Sequence, residues 1–388
     1  MRIDSSFDGG NIEVIGVDEA RAELAIRADS NAEEFRQWFC FRVEEAPGAP
    51  AKAKGAELRI VNAAQATYAD AWDGYAACAS YDPSGATGWF RAPTRWDGET
   101  LVIDHRPDPR RLVKGAALTY AYFAPFPFAR HEQLLARARR SKGVRVEDIG
   151  KSVQGRPMSL VVVGDERDDR RRIWVTGRQH PGETMAEWFV EGVVERLLSR
   201  DELSRTLLDR AVFYLVPNMN PDGGVLGNLR ANAAGMNLNR AWIEPTEAES
   251  PEVLAVRNRM HDTGVDLFLD VHGDERNPYC FLAGCEGNPS YDDRIRGLEN
   301  LFEQSLVAFD EDFQDEYGYD RDEPGGGDLR TAGNYVGEAF ECLSYTVEMP
   351  FKDAANHPDP ARGWTPERAK KLGRAALESV AVCLDDLR

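Results

Sequence analysis

The texture of the apolar runs changes once along this chain, near residue 125, and that change constrains the fold more than any other feature. Before it, short runs at 11–16, 57–61, 75–79, 100–103 and 117–123 are separated by clusters of Gly, Pro, Asp and Asn. Short strands and turns at this spacing predict a β-sandwich. Within it, Phe35, Trp38, Phe39, Phe41 and Val43 form an aromatic run whose last three members alternate as in a strand lining a core. His105 reads as a structural histidine, and no catalytic constellation is evident in this part. After Ala124-Pro125-Phe126-Pro127 a helical pattern opens at 131–140. Apolar, β-branched runs at 159–164, 172–177, 212–216, 266–271 and 344–349 then interleave with helical patterns at 185–199, 251–262, 294–309 and 366–387. Interleaved strands and helices predict an α/β domain with helices flanking the sheet. The expected division is therefore 1–125, a β-sandwich, and 126–388, an α/β domain.

Charge and cysteine usage narrow the function classes. The 47 Lys+Arg and 66 Asp+Glu give 47 − 66 = −19, which argues against nucleic acid or an anionic membrane as partner. Six scattered cysteines (Cys40, Cys78, Cys280, Cys285, Cys342, Cys383) are too sparse for a disulfide scaffold and read as buried free thiols. The N-terminus carries acids and glycines where a signal peptide needs an apolar core, and no stretch nears the ~18 apolar residues of a membrane span. A reduced, cytoplasmic protein is the expectation.

In sheets of this kind, chemistry collects where strands end. The run 173–177 is followed by Arg178-Gln179-His180-Pro181-Gly182-Glu183, and 213–217 by Asn218-Met219-Asn220-Pro221-Asp222-Gly223. The run 267–271 is followed by His272-Gly273-Asp274, and 345–347 ends on Glu348. His180 and Glu183, three apart on a turn, can converge on one metal, and His272 from another strand would complete three ligands. Two imidazoles and a carboxylate form a common catalytic zinc set, because they leave a position for water. Asp270 suits either orienting an imidazole or a satisfied structural role.

Read together, His180-Pro181-Gly182-Glu183, Asn220-Pro221-Asp222-Gly223, Asn237-Leu238-Asn239-Arg240, His272 and Glu348 resemble the zinc carboxypeptidase family in motif order and in placement at strand ends. Gly227-Asn228-Leu229-Arg230 and Tyr345-Thr346-Val347-Glu348-Met349-Pro350-Phe351 resemble its cytosolic carboxypeptidase subfamily, which also carries a β-sandwich before the catalytic domain. The resemblance covers nearly the whole chain. It implies a mixed β-sheet with flanking helices and one zinc per chain, held by His180, Glu183 and His272. Glu348 would be the general base, Arg230 the oxyanion stabiliser, and Asn239 with Arg240 the grip on the substrate's terminal carboxylate.

Further site residues are expected less tightly. Tyr335 is the first candidate for the family's mobile tyrosine, with Tyr317 and Tyr319 behind it. Arg330 is the candidate basic residue of a specificity pocket, or else a solvent-facing arginine at a helix start. Arg178 suits either a place near the metal or a structural ion pair. The nine acids of 310–328 read as a solvated loop, or as a lid hinged at Gly325, Gly326 and Gly327. The resulting expectation is a zinc metallocarboxypeptidase that removes C-terminal residues from peptides or protein tails. The subfamily's glutamate-rich substrates suggest an acidic or small terminal residue. A zinc amidohydrolase acting on small acylated amino acids and a non-catalytic binder of peptide tails are the alternatives. The oligomeric state is not legible.

Overall fold

The computed structural model describes residues 1–18, 20–44, 55–82, 87–108, 111 and 117–388. Its N-terminal part holds two five-stranded sheets. One orders Arg2–Asp4, Cys40–Glu44, Ala117–Ala121, Cys78–Ser80 and Phe90–Arg91; the other orders Glu13–Val17, Arg21–Ala25, Ala56–Ile60, Leu101–His105 and Thr94–Trp96. Burial alternates along Arg21–Ala25 and Ala56–Ile60, as the two-residue period of a strand requires. The inward residues Leu24, Leu58 and Ile60 share one buried cluster with Phe39, Phe41 and Tyr120 of the other sheet, which makes the pair a sandwich. Of the aromatic run only Phe41 and Val43 lie in a strand, Cys40–Glu44, which is paired antiparallel on both sides; Phe35, Trp38 and Phe39 precede it. His105 is buried with its ring against the Tyr120 hydroxyl, the structural role expected of it.

The second part is a seven-stranded mixed sheet. Its order is Val144–Lys151, Pro157–Val163, Ala211–Val216, Arg171–Gly177, Leu267–Val271, Leu343–Glu348 and Phe281–Ala283. The four inner strands from Ala211–Val216 to Leu343–Glu348 run parallel, and the three outer ones are antiparallel additions. The register sets Gly177 beside Val271 and Val271 beside Val347, so three loops leave the sheet at one edge. Eight helices accompany it: α1 Phe128–Arg139, α2 Thr184–Leu198, α3 Glu202–Arg210, α4 Pro221–Leu226, α5 Pro251–Thr263, α6 Asp293–Phe309, α7 Ala332–Phe340 and α8 Pro366–Cys383.

Helix α2 is buried nearly all round. It packs against α8 closely enough that a Cβ on Gly373 would meet the Phe189 carbonyl at 2.3 Å. The polar residues of α2 are paired instead of solvated: Glu187 takes Arg178 and His131, and Glu191 takes Arg130. The acidic segment 310–328 is likewise only partly a solvated loop. Asp310 and Asp312 are buried, bound to Lys371 and Arg368 of α8, and the N–H groups of Gly325 and Gly327 both donate to the Gly287 carbonyl. The two parts of the chain share a continuous core, with Phe351 stacked on Tyr122 at 4.4 Å between ring centres. All six cysteines are buried and unpaired.

Candidate metal centre and cleft

Three strand ends build one buried cluster. The strand Arg171–Gly177 stops where Arg178 enters the left-handed region at φ 61°, and the following turn closes with the Glu183 N–H on the His180 carbonyl. That turn brings His180 Nδ1 to 2.7 Å from Glu183 Oε1. His272 follows the neighbouring strand and donates its N–H to the Val347 carbonyl. Its Nδ1 lies 2.8 Å from Glu183 Oε2 and 3.2 Å from His180 Nδ1. The donor atoms of His180, Glu183 and His272 all fall within 4.8 Å of one another, and all three residues are buried.

The outer nitrogens of both rings are already committed. His180 Nε2 is 3.0 Å from Asn237 Oδ1, an oxygen that also accepts the Asn239 N–H, and His272 Nε2 is 2.8 Å from Asp270 Oδ2. A ring that donates at Nε2 keeps its lone pair on Nδ1. The geometry therefore turns two lone pairs and a carboxylate toward one point, an arrangement that a cation relieves. Nitrogen–nitrogen–oxygen ligation on separate loops, with oriented rings behind it, fits zinc. Burial and the neighbouring charges act on the three groups in different directions. Burial lowers His180 to about 4, with Arg230 acting in the same sense. Burial also opposes charge on His272, but Asp270 and Glu183 outweigh it and hold the ring well above its ordinary value. Glu183 would be raised by burial, yet the two histidines hold it well below the usual carboxylate range.

The cluster opens into a cleft of about 730 Å³ that also receives Arg230, Asn239, Arg240 and Glu348. Glu348, the last residue of its strand, is buried; one oxygen accepts the Tyr319 hydroxyl at 3.2 Å and the other has no partner among the described residues. Burial pushes its carboxyl well above the usual range; the His272 charge opposes this, and Glu183, Asp274 and Glu275 add to it. Arg230 lies over the Tyr68 ring at 5.9 Å. Asn239 is pinned through Oδ1 by the Ala332 N–H at the start of α7, and its Nδ2 lies 3.5 Å from His272 Nε2. Arg240 donates to the Asn239 carbonyl, and burial followed by the nearby Arg230 charge lowers its pKa.

Three expected site residues fall elsewhere. Tyr335 sits on α7 with its hydroxyl 2.9 Å from His261 Nε2 and its ring near Trp242, and it does not line the cleft. Tyr319, ranked behind it, is the tyrosine at Glu348, and it also donates to Asp274 at 2.7 Å. Tyr317 lines the cleft too, stacked on Tyr279 at 4.7 Å. Arg330 is 61% exposed and clamps Asp328, the surface role left open for it. Arg178 is buried and structural: it holds Glu187 at 2.7 Å and donates to the carbonyls of Phe126 and Pro181.

The cleft also holds residues that the sequence did not single out. Arg276 and Arg321 line it, and so does Tyr68 from the N-terminal part, where no functional group was expected. The wall around Glu286, Glu299, Glu303 and Asp315 is acidic. For Glu275 the position just past His272-Gly273-Asp274 was a usable signal; for Tyr68 no local signal exists.

Residues 132–364 match the zinc carboxypeptidase family, and residues 3–123 match the cytosolic carboxypeptidase N-terminal domain. A protein of Zymomonas mobilis is 43% identical over the whole chain and 97% of its own length. Cytosolic carboxypeptidase 6 of Caenorhabditis elegans is 26% identical over 90% of this chain and 78% of its own. Among solved structures, a metallo-carboxypeptidase of Pseudomonas aeruginosa in complex with (2-guanidinoethylmercapto)succinic acid is 46% identical, with a TM-score of 0.92 over 100% of both chains.

Proposed function

The chain belongs to the zinc carboxypeptidase family and is a peptide hydrolase, and from that premise we propose which residues carry the hydrolysis and what it removes. His180, Glu183 and His272 would hold the zinc. Bound there, zinc supplies a Lewis acid for the scissile carbonyl and makes water a stronger acid. The observation that carries the reading is Glu348, a buried carboxylate with one unpartnered oxygen on the same cleft as the three donors. Glu348 takes the proton of the attacking water and passes it to the leaving amine, a task suited to a carboxylate whose proton affinity burial has raised. As water adds, negative charge grows on the carbonyl oxygen, and Arg230 meets it. Asn239 and Arg240 grip the substrate's terminal carboxylate, which confines cleavage to the last residue. Tyr319 takes the part first given to Tyr335.

The sandwich and the α/β part, divided near residue 125, both contribute to this cleft. The substrate is a peptide or protein tail. The finer preference is for an acidic C-terminal residue, with Arg276 and Arg321 as the cations in reach instead of Arg330. The acidic wall at Glu286, Glu299 and Glu303 favours a second reading, a basic C-terminal residue. The guanidinium and succinate of the ligand bound by the Pseudomonas relative suit that reading. Six unpaired cysteines suit a reducing compartment, and we assign the protein to the cytoplasm on that basis. Mass spectrometry of peptides that vary in the last residue tests the function. One-residue release from free-acid peptides, and none from C-terminal amides, is expected. Hydrolysis of N-acyl amino acids without peptide cleavage would establish a deacylase, and zinc binding without any turnover a binder.

A further inference from the structure

Arg230 reaches the cleft from the loop that follows α4, which ends at Gly227 in the left-handed conformation. That loop belongs to the α/β part, but its backbone is held by the sandwich. The Asp29 carboxylate accepts three successive N–H groups: Leu229 at 2.6 Å on Oδ1, and Arg230 at 2.7 Å and Ala231 at 2.8 Å on Oδ2. Asp29 is 4% exposed and sits in a turn closed by the Ala32 N–H on its own carbonyl. Neighbouring contacts clasp the same loop. The Ser30 N–H donates to Asn228 Oδ1, Asn31 Nδ2 to the Ala233 carbonyl and Asn11 Nδ2 to the Gly227 carbonyl, at 3.0, 2.8 and 2.8 Å.

Three consecutive N–H groups directed at one anion fix the backbone between them, as in an anion-binding nest. Arg230 is the middle residue of the three, so the direction in which its side chain leaves the loop is set by Asp29. Burial raises the Asp29 carboxyl to about 6, against the three N–H groups and Arg230. The Asp29 carboxyl is thus buried and turned to the backbone of this loop. We infer that Asp29 is a positioning residue for the hydrolysis: through it the N-terminal sandwich orients Arg230 toward the carbonyl oxygen. The inference rests on the role proposed for Arg230.

A double-mutant cycle on the full-length, zinc-loaded chain tests it, with kcat, KM and zinc content measured for each protein. Asp29→Ala is expected to lower kcat about 10- to 100-fold at unchanged zinc content, the cost of an active-site group displaced by about 1 Å. In an Arg230→Ala background the same substitution is expected to change kcat less than about 2-fold, because the group it positions is gone. Asp29→Asn keeps an acceptor for two of the three N–H groups and should fall between; it carries the test if Asp29→Ala does not fold. An equal loss in both backgrounds, or no loss in either, would overturn the inference and leave the proposed function standing. A wild-type protein that cleaves no peptide would overturn both.

Discussion

Replacing Asp270 with Asn changes one charge behind the metal centre and little else, so its effect can be worked through. Asp270 is fully buried; Oδ2 is 2.8 Å from His272 Nε2 and 2.6 Å from Gln179 Nε2, and Oδ1 accepts the Thr176 hydroxyl at 2.8 Å. An asparagine oxygen at the Oδ2 position still accepts from His272 and Gln179. Its NH₂ then faces Thr176, whose hydroxyl can rotate to accept. The fold should therefore survive, and what is lost is the charge on the acceptor. A charge-assisted hydrogen bond contributes about 1.5–3 kcal/mol against about 0.5–1.5 for a neutral one, a difference of about 1.4 kcal/mol, or roughly tenfold in zinc affinity. Asp270→Ala removes the bond altogether and should cost up to about 100-fold, while leaving Gln179 and Thr176 without this partner. Competition with a chromophoric chelator reads the affinity directly. Asp270→Asn with wild-type zinc affinity and an intact fold would refute the claim that the charge of this carboxylate strengthens His272 as a ligand.

Other residues give sharp tests. Arg178→Leu leaves the buried Glu187 without its guanidinium and should cost about 3–5 kcal/mol in urea unfolding with KM unchanged; raised KM at full stability would return Arg178 to substrate binding. Tyr319→Phe removes the hydroxyl from Glu348 and Asp274 and should lower kcat/KM about tenfold, whereas Tyr335→Phe should leave it within about 2-fold; the reverse pattern would restore Tyr335. Burial first, then Glu286, raises Glu299 to about 7 from 4.5, against the Tyr291 hydroxyl that lowers it. The folded state thus holds more protons than the unfolded one between those values. Stability should fall as pH rises through that window, by about 3 kcal/mol from this group. Glu299→Gln should lack that component when unfolding is compared at pH 5 and 8, and an identical slope would refute it.

What the sequence revealed about the site follows from how each residue is placed. His180, Glu183, His272 and Glu348 each sit within a few residues of an apolar strand run, so strand ends alone bring them to one edge of the sheet. Tyr335 and Tyr319 look alike in the sequence; that one meets His261 and the other Glu348 is set by tertiary packing that no local pattern displays. Arg178 looks like a site residue because it adjoins His180, but its left-handed backbone directs the side chain inward to Glu187. Asp29 meets residues 200 to 202 positions away, and Tyr68 meets Arg230 from the other part of the chain, where neither periodicity nor motif spacing applies. The net charge of −19 decided little about the substrate, since what matters is the opposition of Arg230, Arg240, Arg276 and Arg321 to the acidic wall within one cleft.

In the proposed mechanism Glu348 moves the proton while His180, Glu183 and His272 hold the metal. Zinc content and C-terminal residue release, measured in parallel for the wild type and Glu348→Gln, separate the two roles. One zinc per chain is expected in both proteins, with release slower by about 10²- to 10⁴-fold in the variant. A zinc-loaded Glu348→Gln protein that releases residues at the wild-type rate would contradict it.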